Sequence, residues 1–525
     1  MFFHSWTGED RQGNRPFREE LLSAERLEER ALALAASLTV DPSGRRRARS
    51  IYPRLTDNAR VLRHAYRTLA HDVRSGAFVT PATEWFLDNF HLISSEIIEV
   101  RENLPRHYYG ELPPLAGRQA GEARIYAIAV ELLRHSDSRL ELAQLQRFLN
   151  SYQRVAPLTI GELWAWPSML KLALIENLRR LADEILNSRS ARRAADTFVS
   201  RIDESPQDGP IAITPDAHDA YIVQMLHRAR EYDVRRSPLR AALEAHLIAR
   251  NTVAEEVVRV EHQRQATSQA SVANAITSLR LCATIDWRQY VESVSLVDNV
   301  LRRDPAGVYA RMDFLSRDRQ RQAVEELAEP SGEAQIRVAL KAIETARQHA
   351  AVKPQQAASH VGYHLVGRGR EALEIELAYR PKPEQWFRRF VVTHPTPLYL
   401  GAIVLLTAAL DGGGVYYARH MGGALVMQLI AALLLLIPAS ELAIAVVQKL
   451  TAINIPPQRL QRLDLTEGVP DDSRTVVVIP TLLSSEEGVG HLLEHLEVVA
   501  IGNIDPNIHF AILSDFLDEI GRAHV

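Results

Sequence analysis

The chain is predicted to be mainly α-helical: a long helical cytoplasmic region, then a transmembrane hairpin, then the start of an α/β domain. Three observations predict this. Apolar residues recur at helical spacing from Ser23 to about Ala350, they crowd together between Leu398 and Val447, and two short apolar runs flank a helical stretch between Thr475 and Leu513.

With 525 residues, the chain is too long for one core, and roughly 100–200 residues per domain predicts roughly two to four units. The reading places helical regions at 1–204 and 211–390, divided by the turn Asp208-Gly209-Pro210. A hairpin at 398–447, a linker at 448–473 and the opening of a further domain at 474–518 complete it. Lys and Arg number 61 against 65 Asp and Glu, so no basic field exists to attract nucleic acid. Clusters such as Glu25-Arg26-Leu27-Glu28-Glu29-Arg30 read as solvated helix faces. The single cysteine, Cys282, forms no intrachain disulfide and reads as a small core residue beside Leu281 and Ala283. Phe2 and Phe3 give way to Trp6, Glu9, Asp10 and Arg11, which is no signal peptide, so a cytoplasmic amino terminus is expected.

Leu27, Ala31, Leu34 and Leu38 form one helical face, with Ser23 as N-cap and Asp41-Pro42 as stop. Val61, Leu62, Tyr66, Leu69 and Val73 form another between Asn58 and Arg74, ended by Gly76. Thr83–Val100 reads as one amphipathic helix closed by Leu104-Pro105, and further helices are expected over Glu122–Leu133 and Leu140–Phe148. Thr159 and Glu162 make a capping box, while Pro167 is expected to kink or interrupt the helix that follows. His91, His107, His246 and His262 lack metal-ligand spacing. His360 and His364 are four apart, but Gly362 and Gly367-Arg368-Gly369 predict only a short helix there, and no metal ligand is assigned.

Ala424–Val447 is a 24-residue segment whose one formal charge is Glu441. As a helix it measures about 36 Å, enough for a hydrocarbon core of roughly 30 Å. Pro438 is expected to bend it without ending it. Leu398–Leu410 is apolar but short, and Gly412-Gly413-Gly414 leaves two readings open over 398–418, a full span or a re-entrant segment. Arg388 and Arg389 precede the pair, whereas Lys449, Arg459 and Arg462 follow it, and the positive-inside rule puts both flanks in the cytoplasm. Trp386, Tyr399, Tyr416 and Tyr417 suit the interfaces.

Thr475–Ile479, closed by Pro480, and Ile508–Leu513, closed by Ser514-Asp515, flank a helical stretch from about Glu487 to Val499. That is the start of a βαβ unit with buried, parallel strands. Ligands of such sheets sit beyond the carboxyl ends of the strands, which makes Pro480, Thr481 and Asp515 the candidate binding residues. A carboxylate there suits the base or ribose of a sugar nucleotide, and equally the cap of a following helix. No glycine-rich phosphate cradle accompanies it. No catalytic residue is assigned.

Several segments together resemble cyclic β-1,2-glucan synthases. They include Leu87-Asp-Asn-Phe-His-Leu-Ile93, Leu104-Pro-Arg-His-Tyr-Tyr109, Pro157-Leu-Thr-Ile-Gly-Glu-Leu-Trp164 and Leu174-Ile-Glu-Asn-Leu-Arg179. Further on come Ser295-Leu-Val-Asp298 near Asp304-Pro305, Ser359-His-Val-Gly-Tyr363, Ile437-Pro-Ala-Ser-Glu-Leu-Ala443 and Val476-Val-Val-Ile-Pro-Thr-Leu-Leu483. The resemblance implies a multi-pass bacterial inner-membrane enzyme that extends a β-1,2-glucan from UDP-glucose, with a divalent cation, Mg or Mn, in a GT-A type domain. Its partners would be the lipid bilayer, the growing glucan and further carboxy-terminal domains. On this chain it implies that Pro480 and Thr481 line the donor pocket and that Asp515 binds the nucleoside. The acidic metal motif and the general base are expected beyond Val525. The chain is therefore expected to be an inactive amino-terminal portion, with Glu519–Val525 a non-native tail. The alternative from a different class is a membrane-anchored helical scaffold without enzymatic activity.

Overall fold

The computed structural model describes residues 15–41, 47–204, 213–214, 216–230, 237–353, 356–381, 383–455, 457, 459–483 and 485–516. The residues read above as the amino-terminal start (Phe2 to Arg11), Pro42, the turn Asp208-Gly209-Pro210, Pro456, Asp518 and the tail Glu519–Val525 lie outside these. The chain divides into two compact units, Met1–Asn299 and Val300–Val525. Mainly helical structure is found, as the periodicity predicts.

In the first unit, helices Ala24–Ser37, Tyr52–Arg74, Arg124–Ser136, Leu142–Gln153, Ile160–Glu204 and Ala254–Thr284 surround one apolar core that includes Leu27, Leu62, Phe148, Trp166 and Leu279. Ser23 caps the first of these through the Arg26 amide at 3.4 Å. The capping box forms in both directions: the Glu162 N–H donates to Thr159 Oγ1 at 3.2 Å, and the Thr159 N–H donates to Glu162 Oε2 at 2.9 Å. Pro167 does not interrupt the helix, which runs unbroken from Ile160 to Glu204. Interior proline costs about 3 kcal/mol. Trp166, Met169 and Leu170 beside it are fully buried, each side chain contributing about 1.5–3 kcal/mol, so burial wins. Thr83–Val100 is two helices, Pro81–Asp88 and Phe90–Asn103. Asn89 divides them, its side-chain amide donating to the Trp85 carbonyl at 2.9 Å and competing with the ladder. Helix Asp219–Arg230 packs on the far end of Ile160–Glu204, with Val199, Ile222 and Met225 in a shared cluster. Cys282 is buried in the main core, and burial pushes its thiol pKa up to about 12.

In the second unit, helices Phe314–Ser331, Gln335–Val352 and the short Val361–Leu365 and Arg370–Glu376 form a helical body. Helix Pro383–Thr393 leads into two apolar helices, Pro395–His420 and Leu425–Asn454, each long and apolar enough to cross a membrane. The first runs as one continuous helix through Gly412–Gly414 and does not unwind there. Backbone groups in an apolar environment must bond within the helix, and glycine does not prevent that. Gly414 also has a packing role, since a Cβ there would overlap the Leu435 side chain. Pro438 is likewise passed without a break. The hairpin turns at Gly422, whose φ of +81° suits glycine.

Candidate functional site

Beyond the hairpin, β1 (Thr475–Leu483), helix Glu486–Gly502 and β2 (Ile508–Phe516) form a βαβ unit with parallel strands, as the sequence predicts. The strands run further than expected. Pro480, read as a terminator, sits inside β1 opposite Leu513, while Thr481 pairs with Ser514 and Leu482 with Asp515. Among the described residues β1 pairs with β2 alone, and an edge strand is where proline is tolerated. The strands are also not buried: Val476, Val478, Leu482 and Leu513 are exposed, and the connecting helix has no buried residue. A lone βαβ layer has nothing to cover its faces.

Side chains alternate across a strand, and paired residues share a face. Pro480 and Asp515 therefore lie on one face of the sheet and Thr481 on the other, all within the last rungs at the carboxyl ends. Asp515 and Pro480 are exposed and Thr481 half-buried. At the opposite end, Asp505 accepts from the Val469 N–H at 2.7 Å, and Asn507 donates to the Val469 carbonyl and to Asp471 at 2.8 and 2.9 Å. These bonds fix the start of both strands. Among the described residues, no three His, Cys, Asp or Glu side chains are grouped to hold a metal ion. The described residues thus do not fit a divalent cation.

Sequence reasoning did not find the arrangement that holds this unit and the hairpin in place. Asp304, fully buried, accepts from His360 Nδ1 at 2.8 Å and from the Val361, Val308 and Tyr309 amides at 2.9, 3.0 and 3.2 Å. Burial pushes the carboxyl pKa up, but these bonds, His360 first, outweigh it and hold it below the usual carboxylate value. Gly362 makes the close approach possible: a Cβ there would meet His360 Nε2 at 2.5 Å and Gln320 Nε2 at 2.6 Å. Gln320, 3.4 Å from His360, donates in turn to Gln461 Oε1 at 3.1 Å, in the linker after the hairpin. That linker is tied further by Asp313 N–H to the Arg462 carbonyl (3.0 Å), Arg462 N–H to Ser316 Oγ (2.8 Å) and Asp464 N–H to the Arg311 carbonyl (2.8 Å).

The chain entering the hairpin is tied to the same body. Arg389 pairs bidentately with Glu374, which Arg370 also holds at 2.9 Å. Burial raises the Glu374 pKa, but the bonds to Arg389 and Arg370 lower it more, so the net shift is downward. One helical body therefore holds both strands of chain that border the membrane helices. His364 turns away from His360, its Nε2 bonded to the Ala358 carbonyl at 2.9 Å, so the pair does not converge on a common point.

Against curated proteins, the chain is 34% identical over 471 residues to the cyclic β-(1,2)-glucan synthase NdvB of Rhizobium meliloti (strain 1021). The chain is therefore similar to part of this synthase. The likeness covers 88% of the chain, and the chain spans 17% of the length of that relative. No protein-family model matches the chain. Several segments that carry the synthase resemblance meet in space. Tyr108 donates to the Gly161 carbonyl at 2.6 Å, joining the Leu104–Tyr109 and Pro157–Trp164 segments, and Asp304 bonds to His360 and Val361 of Ser359–Tyr363.

Proposed function

We propose that the chain supplies the helical region, membrane hairpin and donor-side opening of a GT-A-like domain for a processive synthase extending a β-1,2-glucan from UDP-glucose. The observation that carries this reading is the 34% identity, sustained over 88% of the chain, to a cyclic β-(1,2)-glucan synthase. Two features support it: a parallel βαβ unit with an acid at the carboxyl end of β2, and a hairpin whose flanks are held by one polar body. In this reading the enzyme sits in a bacterial inner membrane with both flanks in the cytoplasm. Asp515 accepts hydrogen bonds from the nucleoside, and Pro480 and Thr481 line the donor pocket. Transfer itself, the Mg or Mn ion and the acceptor groove are assigned to segments beyond these residues, so residues 1–525 alone transfer no glucose.

The test uses membrane vesicles bearing a protein of the relative's length from this locus, supplied with UDP-glucose. Asp515→Ala is expected to raise KM for UDP-glucose at least about tenfold, the loss of one charge-assisted contact. Unchanged kinetics would remove Asp515 from the donor site. Absence of any β-1,2-glucan from the unsubstituted protein would overturn the synthase reading in favour of the helical scaffold.

A further inference from the structure

A second candidate site lies in the first unit. Helices Pro81–Asp88, Ile160–Glu204 and Ala254–Thr284 border a shallow, open cleft lined by Thr80, Ser188, Arg192, Arg264 and Ser268. A smaller hollow, lined in part by Asp72, Phe78 and Arg189, shares Thr80, Ile185 and Arg192 with it. Arg192 therefore stands between the two.

The charges around it are unevenly matched. Asp72 takes Arg189 bidentately and Arg193 at 2.5 Å. Arg264 is held by Glu261 at 2.7 Å, by Glu184 at 3.3 Å and by Ser188 Oγ at 2.7 Å. Glu261 also accepts from Gln265 at 2.8 Å. Among the described residues in this cluster, four guanidiniums thus face three carboxylates. Arg192 is the one without a close partner. Its side chain is 17% exposed, its nearest carboxylate oxygen is Glu261 Oε1 at 4.0 Å, and its buried Nη1 makes no hydrogen bond. Burial, reinforced by Arg264, pulls its pKa below the usual arginine value. The Phe78 ring, 73% exposed, lies 5.7 Å from the guanidinium and forms an apolar flank to the opening.

A buried guanidinium with unused donors, hydroxyls around it and one surplus positive charge is the chemistry that recognises a planar or tetrahedral oxyanion. The enclosed part of the cleft measures about 20 Å³, room for the oxyanion itself while the rest of a ligand stays at the open mouth. We propose that Arg192 anchors the singly charged oxyanion, a carboxylate or a phosphodiester, of a small organic ligand at the mouth of the cleft between helices 81–88, 160–204 and 254–284.

The test is calorimetric titration of the detergent-solubilised chain with glucuronate and with dimethyl phosphate. A parallel arm uses vesicles of phosphatidylcholine with and without phosphatidylglycerol. Saturable binding of either soluble probe, weakened at least about tenfold by Arg192→Gln, is expected. Binding only to phosphatidylglycerol vesicles, lost in Arg192→Gln, would assign the same oxyanion chemistry to a lipid headgroup. Binding that Arg192→Gln leaves unchanged, or no saturable binding in any arm, would overturn the proposal. Because Arg192→Gln could unfold the unit, amide exchange on the unsubstituted chain is read as well. Probe-induced protection confined to residues 78–84, 184–192 and 261–268 supports the site; protection elsewhere overturns it.

Discussion

Replacing Asp304 by alanine should release the linker that follows the membrane hairpin. The carboxylate has four donors, and two of them, the amides of Tyr309 and Val361, belong to fully buried residues. Leaving a buried donor unsatisfied costs about 1–3 kcal/mol, so these two alone predict a loss of about 2–6 kcal/mol from the second unit. The His360 ring also loses its anchor, and with it the position of Gln320 against Gln461. Equilibrium denaturation in detergent measures the loss, and amide exchange at Arg462 and Asp464 reports the release. Acid provides an independent check. Because the folded carboxyl titrates below its ordinary value, its contribution is complete above about pH 4, the unfolded value, and is lost as pH falls through the folded one. The difference between the native chain and Asp304→Ala should therefore shrink only in that acid range. A variant within about 1 kcal/mol of the native chain, with unchanged exchange at 462 and 464, would refute the tether.

Gly414→Leu should force the two membrane helices apart, since even a Cβ at 414 overlaps Leu435; overpacking of this kind costs about 1–3 kcal/mol, and cysteine cross-linking across the pair should fall. Reporter fusions after Asp318 and after Ser473 should both register as cytoplasmic, and a periplasmic signal from one of them would contradict the hairpin topology. Cys282, its thiol pKa pushed up to about 12, should resist a thiol reagent at pH 8 in the folded chain and react once the chain is denatured; rapid labelling of folded protein would contradict its burial.

What the sequence discloses follows the range of the interaction. Ser23, Gly76 and the Thr159–Glu162 box act within one helical turn, and each does what its local pattern predicts. The apolar lengths of the hairpin are equally local. Pro167 and Asn89 mislead in opposite directions, because the outcome depends on how much apolar surface the surrounding helix buries and on one side-chain bond. The Asp304–His360–Gln320–Gln461 chain joins positions far apart in sequence, and no spacing announces it. Its one signal is that Asp304-Pro305 and Ser359–Tyr363 stand among the segments carrying the synthase resemblance. At the candidate donor site, the period-two alternation that separates Thr481 from Pro480 and Asp515 is readable only once the strands are known to continue through Pro480.

The two ties to the helical body, at Arg389 before the hairpin and at Gln461–Asp464 after it, give the membrane helices a mechanical character. A hairpin joined to its protein at one end pivots freely. This one is gripped on both strands at the same end, and the Met421–Ala424 turn lies at the other. Helices of this length adjust to bilayer thickness by tilting, and here a tilt acts as a lever on the 300–378 body. It also acts on the linker that carries β1. If both helices cross a bilayer, its thickness bears on the placement of that linker.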